Sequence, residues 1–272
     1  MRGKSSPVLI PLAISVALAI AGCIGSSASE FRADSSDEGQ RDKKGGVLFQ
    51  DNFDRDILDG SRWVITQDGD FNQFAVDFQN IGVEEESNYR LRLIANTRGT
   101  SDPLKYLGVR SIRKIDFAKG REISFDLDWN NQQNGCYLTA SLYICPSVGE
   151  NPKKERNWLK FEWTGVPPGK NIRTNVWGRI NGGLKQLYTD WGPRDENGRA
   201  KGKVVKPGNH RVRLLLDKTD IRVWVDRKEI YHGPHSLIFT SGYLYLQMSS
   251  GTNYPTRMVY FDNVIVTALV AK

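Results

Sequence analysis

His210-Arg-Val-Arg-Leu-Leu-Leu216 and Ile221-Arg-Val-Trp-Val-Asp226 alternate apolar with polar residues, and Asp217-Lys-Thr-Asp220 stands between them. A period of two sends successive side chains to opposite faces, so each run reads as a strand with one face on a core and one in water. The acidic and hydroxyl residues between them are turn formers, which joins the two strands as a hairpin. The same period recurs outward in both directions: Tyr89–Asn96, Glu122–Trp129, Tyr137–Ile144, Asn157–Trp163, Asn171–Ile180, Gly242–Ser249 and Arg257–Thr267. Gly, Pro, Asn and Asp separate these runs, and no helical periodicity of useful length follows residue 46. No internal repeat suggests a propeller or solenoid. Many strands in a chain of this length predict an all-β domain of two large antiparallel sheets packed face to face.

Toward the N-terminus the chemistry changes. Arg2 and Lys4 precede an apolar run from Val8 to Gly22, broken only by Pro11 and Ser15. The run falls short of the roughly 20 apolar residues that a spanning helix needs, and it has the length of a signal-peptide core. It closes on Ile20-Ala-Gly-Cys23, which resembles the bacterial lipobox: an aliphatic residue, two small ones, then the cysteine that takes the lipid. Residues 1–22 are therefore expected to be a lipoprotein signal peptide, with Cys23 as the lipidation site. Residues 23–46 are rich in Ser, Gly and charged residues, with Phe31 as the only aromatic. Such a segment buries too little apolar surface to offset its ordering entropy, and reads as a disordered tether. The expected location is the cell envelope, with the domain lipid-anchored to a bacterial membrane on its extracytoplasmic side.

Roughly 225 residues remain from 47 to 272, enough for one large all-β domain with a full core and no need of a disulfide staple. The formal net charge is +7 and falls by two when Arg2 and Lys4 leave with the signal. This mild basicity suits an acidic polysaccharide or an anionic membrane surface. No Lys/Arg block resembles a nucleic-acid tract, and export argues against such a partner. A monomer is expected. Cys136 and Cys145 flank a run that reads as a single strand, which would hold their Cα atoms about 30 Å apart. A disulfide needs roughly 4.4–6.8 Å, so both are expected to be free and buried.

Three segments carry a family likeness. Val47-Leu-Phe-Gln-Asp-Asn-Phe53 with Leu58-Asp-Gly-Ser-Arg-Trp63 resembles the opening of the concanavalin A-like lectin/glucanase jelly rolls. The hairpin above, with Lys228-Glu-Ile-Tyr231, is similar to an inner part of that fold, and Val259-Tyr-Phe-Asp-Asn-Val-Ile-Val266 to its last strand. The likeness covers residues 47–268. It implies a two-sheet jelly-roll sandwich and either glycan binding or glycan cleavage; a fold alone does not decide between them.

In such a jelly roll, sugars occupy the outward face of one sheet. Alternation groups Trp158, Lys160 and Glu162 on one side of their run, opposite Leu159, Phe161 and Trp163. It likewise groups Arg173, Asn175, Trp177 and Arg179; Tyr243, Tyr245 and Gln247; and Tyr137, Thr139, Ser141 and Tyr143. Flat aromatic surfaces accept the C–H faces of sugars, and planar polar groups pair with hydroxyls, which suits a binding cleft. The expected glycan-binding set is Trp158, Lys160, Glu162, Arg173, Asn175, Trp177, Tyr243, Tyr245 and Gln247. Alternation defines two faces of each strand without saying which sheet carries the groove.

Glycosidases of this fold commonly set carboxylates on one strand as Glu-x-Asp-x-x-Glu, and no such motif is present. Asp126 and Asp128 share a face but lack a third acid at the right spacing, so a solvated sheet face is the default for them. Glu84-Glu-Glu86 reads as a turn. Lys160, Arg173 and Tyr245 are the residues from which a lyase site could be assembled. His232 and His235 fall short of the ligands a zinc site requires. Asp51 and Asp262, on terminal strands that neighbour each other in this fold, are candidates for a structural calcium, with carbonyls and water completing its shell. The expectation is thus a tethered, non-catalytic protein that binds a polysaccharide or other glycan; a glycoside hydrolase or polysaccharide lyase and an envelope adhesion protein are the alternatives.

Overall fold

A computed structural model describes residues 44–83, 87–129, 137–166, 171–190, 194–198, 203–204 and 208–269. The signal peptide, Cys23, most of the tether, Glu84–Glu86 and Cys136 lie outside the described residues.

The chain folds into two antiparallel sheets. The first is eight-stranded and runs β15 (Lys228–Pro234), β14 (Asp220–Val225), β13 (Asn209–Leu216), β7 (Arg121–Trp129), β17 (Arg257–Leu269), β4 (Tyr89–Asn96) and β3 (Gln73–Asn80). The eighth strand, β1 (Lys44–Asp51), also pairs with β17. It opens at Lys44, so residues 44–46, read as the end of the tether, belong to the sheet. The second sheet is nine-stranded: β11 (Gly183–Asp190), β10 (Asn171–Ile180), β9 (Trp158–Val166), β8 (Leu138–Cys145), β16 (Ser241–Ser250), β5 (Lys105–Ser111) and β2 (Trp63–Asp68). The short β12 (Lys203–Val204) adds to β10, and β6 (Ile115–Asp116) to β16. These are the two facing antiparallel sheets that the alternation predicted and the jelly-roll sandwich that the resemblance implied.

The nine expected strands are all present, displaced by at most three residues at an end. The hairpin forms with Leu216 opposite Ile221. Its turn is held by the Asp217 carboxylate, which accepts from the amides of Thr219 and Asp220, both at 2.8 Å.

Between the sheets lies one apolar core. Ile123, Phe125 and Leu127 of β7 face Leu142 of β8 and Phe161 of β9 within it, with Val212 and Leu214 beside them. Phe125 and Phe161 meet edge to face with centroids 6.1 Å apart, which ties one sheet to the other. Burying each such side chain contributes about 1.5–3 kcal/mol against leaving it in water. β17 serves both halves of the first sheet. Its residues Arg257–Phe261 pair with β4 and its later residues with β1, and a bulge at Asp262–Ile265 shifts its register against β7. Asn263 takes the left-handed conformation there, with φ of 48°.

Cys145 is buried and free, as expected. His235 is a structural histidine: its Nδ1 accepts from the Leu237 amide at 2.9 Å, so the proton sits on Nε2, 3.0 Å from the Asp217 carbonyl. Among the described residues, no group of three or more His, Cys, Asp or Glu side chains could hold a metal ion. The Asp51 carboxylate is already taken by Trp63 Nε1 at 2.8 Å, the Phe53 amide at 2.9 Å and the Arg55 guanidinium. Asp262 instead accepts from the Asn263 amide and feels the charge of Asp126.

Candidate functional site

All four polar and aromatic rows fall on the outer face of the nine-stranded sheet. Registers show this directly. Glu162 lies between Ser141 and Asn175, and Ser141 lies opposite Gln247. Lys160 lies between Tyr143 and Trp177, and Tyr143 lies opposite Tyr245. The inward residues of the same strands, among them Leu142, Phe161, Val176 and Leu246, belong to the core.

A cleft of about 460 Å³ opens on this face. Trp158, Lys160, Glu162, Arg173, Asn175 and Trp177 of the expected set line it. Tyr243, Tyr245 and Gln247 share the face but do not line the cleft; residues 146–157, linking β8 to β9, fold across the sheet over Tyr245. The Gly149 amide donates to the Tyr245 hydroxyl at 3.1 Å, and that hydroxyl faces the Ser147 and Gly149 carbonyls at 3.3 and 3.2 Å. Further along, Asn151 donates to Asp68 of β2 at 2.8 Å and Lys154 pairs with the same carboxylate at 2.7 Å. Tyr245, Tyr143, Trp158 and Cys145 form a small buried cluster beneath this crossing. Burial pushes the Tyr245 hydroxyl up to about 12. The three residues considered for a lyase therefore do not come together: Lys160 and Arg173 line the cleft, and Tyr245 is bound to the crossing segment.

The cleft floor is a polar chain. Lys160 Nζ donates to Glu162 at 2.6 Å, with both side chains almost completely buried. Asn175 donates to Glu162 at 3.2 Å and accepts from Thr189 at 2.5 Å. The Lys160 ammonium also lies 5.5 Å from the Tyr143 ring and 5.6 Å from the Trp158 ring, within cation–π range. Burial holds Lys160 below the usual lysine value, and Glu162 opposes that shift. Tyr137, on the cleft wall, is raised by its burial and by the charge of Glu162.

Lys153, Arg179 and Leu184 also line the cleft and lay outside the expected binding set. Arg179 shares the β10 row with Trp177, so alternation reaches it. Lys153 comes from the crossing segment, whose path over the sheet no local pattern encodes. Leu184 sits on β11, a half-exposed edge strand with weak alternation.

Asp126 and Asp128 lie on the outer face of the other sheet and are neutralised there. Arg211 pairs with Asp126 at 2.9 Å and Arg90 with Asp128 at 2.6 Å. They form part of a charge ladder rather than a catalytic pair.

No protein-family model matches the sequence, nor does any curated protein. Solved structures do share the fold. A Bacteroides ovatus GH16 enzyme from a mixed-linkage glucan locus, solved with the product G4G4G3G, superposes with a TM-score of 0.55 at 14% identity, over 81% of this chain and 100% of that one. A Bacillus licheniformis β-glucanase gives 0.53 at 14%, over 84% and 99%. A β-1,3-glucanase from Mycobacterium marinum gives 0.51 at 19%, over 82% and 99%. The domain shares the two-sheet jelly-roll fold of these structures, and glucanases are among its structural neighbours.

Proposed function

We propose that the protein is a lipid-anchored, extracytoplasmic monomer that holds a glycan in this cleft without cutting it. The observation that carries the reading is the state of Glu162. Among the described residues lining the cleft it is the only carboxylate, and it is locked to Lys160 at 2.6 Å. Glycoside hydrolysis by the usual routes needs two carboxyl groups flanking the bond, about 5–5.5 Å apart for retention or 6.5–9.5 Å for inversion. Here the acid lacks a partner acid among the described cleft residues and is hydrogen-bonded to Lys160. Half-buried Trp177 and Tyr137 supply flat surfaces for sugar rings, and Arg173 and Arg179 supply planar donors beside them. The lipobox-like Ile20-Ala-Gly-Cys23 supports the anchor and the extracytoplasmic location. A hydrolase is the second reading, favoured by the activities of the glucanases that share the fold.

Incubation of the full chain, kept in mild detergent, with a polysaccharide panel separates the two. The expected result is retention on at least one polymer with no new reducing or unsaturated ends. Release of ends would overturn the binding-only reading and return attention to Glu162 and Lys160.

A further inference from the structure

We propose that the cleft takes an acidic polysaccharide, one bearing carboxylate or sulfate groups, in preference to a neutral glucan; this rests on the glycan-binding reading above. The cleft lining is one-sided in charge. Among the described residues that line it, Lys153, Lys160, Arg173 and Arg179 stand beside a single carboxylate, Glu162. Glu162 is committed to Lys160, so it does not serve Lys153 or Arg179.

Arg179 shows how the charge is kept. Its Nε donates to the Gly182 carbonyl at 3.0 Å and its Nη1 to the Lys153 carbonyl at 2.6 Å. Both acceptors are neutral, so the guanidinium is fixed in place with its full charge. Lys153 lies 5.6 Å from the Tyr106 ring centroid, again a neutral partner. It also repels the Lys160 ammonium, which places cations close enough to disfavour one another. An incoming anion would relieve that repulsion, and a guanidinium offers it paired, planar donors.

Strand geometry couples these charges to the stacking surface. Arg179 follows Trp177 by two residues on the same face of β10, about 7 Å along the strand, and Arg173 precedes it by about 13 Å. A sugar stacked on Trp177 would carry its ring substituents toward these groups. An acidic polymer thereby meets an aromatic platform and fixed cations together, whereas a neutral one uses the platform alone.

The test compares retention of the full chain, in mild detergent at about physiological salt, on polygalacturonate, κ-carrageenan and laminarin. These are a carboxylated, a sulfated and a neutral polymer. Retention on one or both acidic polymers above laminarin is expected, and the preferred one identifies the anion. Lys153→Gln and Arg179→Gln should each weaken that retention about fivefold. Lys218→Gln, an equal loss of charge on the exposed hairpin of the other sheet, should leave it unchanged. Laminarin held as well as both acidic polymers would overturn the inference while leaving the glycan-binding reading in place. An equal loss from Lys218→Gln would overturn it as well, by reducing the preference to general charge attraction. Retention on none of the three would overturn the glycan-binding reading for these polymer classes, and the inference with it.

Discussion

On the outer face of the eight-stranded sheet, Arg90, Arg92 and Arg211 meet Asp128, Asp77 and Asp126 at 2.6, 2.8 and 2.9 Å. Aromatic rings there lie under cations as well, with Arg90 3.8 Å from the centroid of Tyr260 and Arg213 4.2 Å from that of Trp224. On the outer face of the nine-stranded sheet, one buried pair is closed, and Arg179 and Lys153 keep neutral partners beside an open cleft. Both faces are made of the same residue types by the same alternation. They differ in whether opposite charges sit across from each other on neighbouring strands. A ladder of matched pairs saturates itself and leaves a ligand little to gain. The unmatched face keeps its charge for something else, which is why the site is assigned to it.

Breaking single pairs on the two faces gives the largest contrast. Glu162→Gln leaves the buried Lys160 ammonium without a counter-charge and should cost about 3–5 kcal/mol in urea unfolding. Asp77→Asn interrupts a half-exposed pair with Arg92 and should cost about 0.2–1 kcal/mol. Similar losses at both positions would show that the two faces are not energetically distinct.

Tryptophans allow a functional version of the same comparison. Trp177→Ala should reduce glycan retention about tenfold or more, while costing under about 1 kcal/mol of stability because the ring is only half-buried. Trp224→Ala, which removes the ring under Arg213, should leave retention unchanged. A large stability loss at Trp177 with no selective loss of binding would make it a packing residue and dissolve the distinction.

Much of this was readable before any coordinates. The grouping of the rows of β9 and β10 follows from Asn157–Trp163 and Asn171–Ile180, because alternation sends every second side chain to one face without naming that face. What alternation cannot give is the partner across the ladder. Asp126 and Asp128 look much like Glu162 along the sequence, yet Arg211 and Arg90 reach the first two from strands far away in the chain. Nor does a local pattern say that residues 146–157 cross the sheet and cover Tyr245, since their anchor, Asp68, lies on β2. β5 is hidden in the sequence for another reason. Gly108 interrupts its alternation, and it is glycine because a Cβ there would collide with the carbonyl oxygen of Leu246.

The smallest expected effect probes a place where the matched face is imperfect. Burial pushes the Asp262 carboxyl up to about 6 from an ordinary 3.8; the Asn263 amide opposes this and the nearby charge of Asp126 adds to it. A raised carboxyl keeps its proton in the folded state over a range where the unfolded chain has lost it. Stability is therefore intact below about pH 4, declines as pH rises through the window from 4 to 6, and carries the full penalty above it. Asp262→Asn keeps an oxygen for the Asn263 amide, 2.7 Å away in the parent protein, and removes the charge. With allowance for solvent screening, the variant should be more stable than the parent by about 1 kcal/mol at pH 7.5. The gain should vanish at pH 4, where the parent carboxyl is already protonated. Urea unfolding at the two pH values checks this. A variant equally destabilised at both would mean that Asp262 is held by its hydrogen bond and that its charge is matched after all.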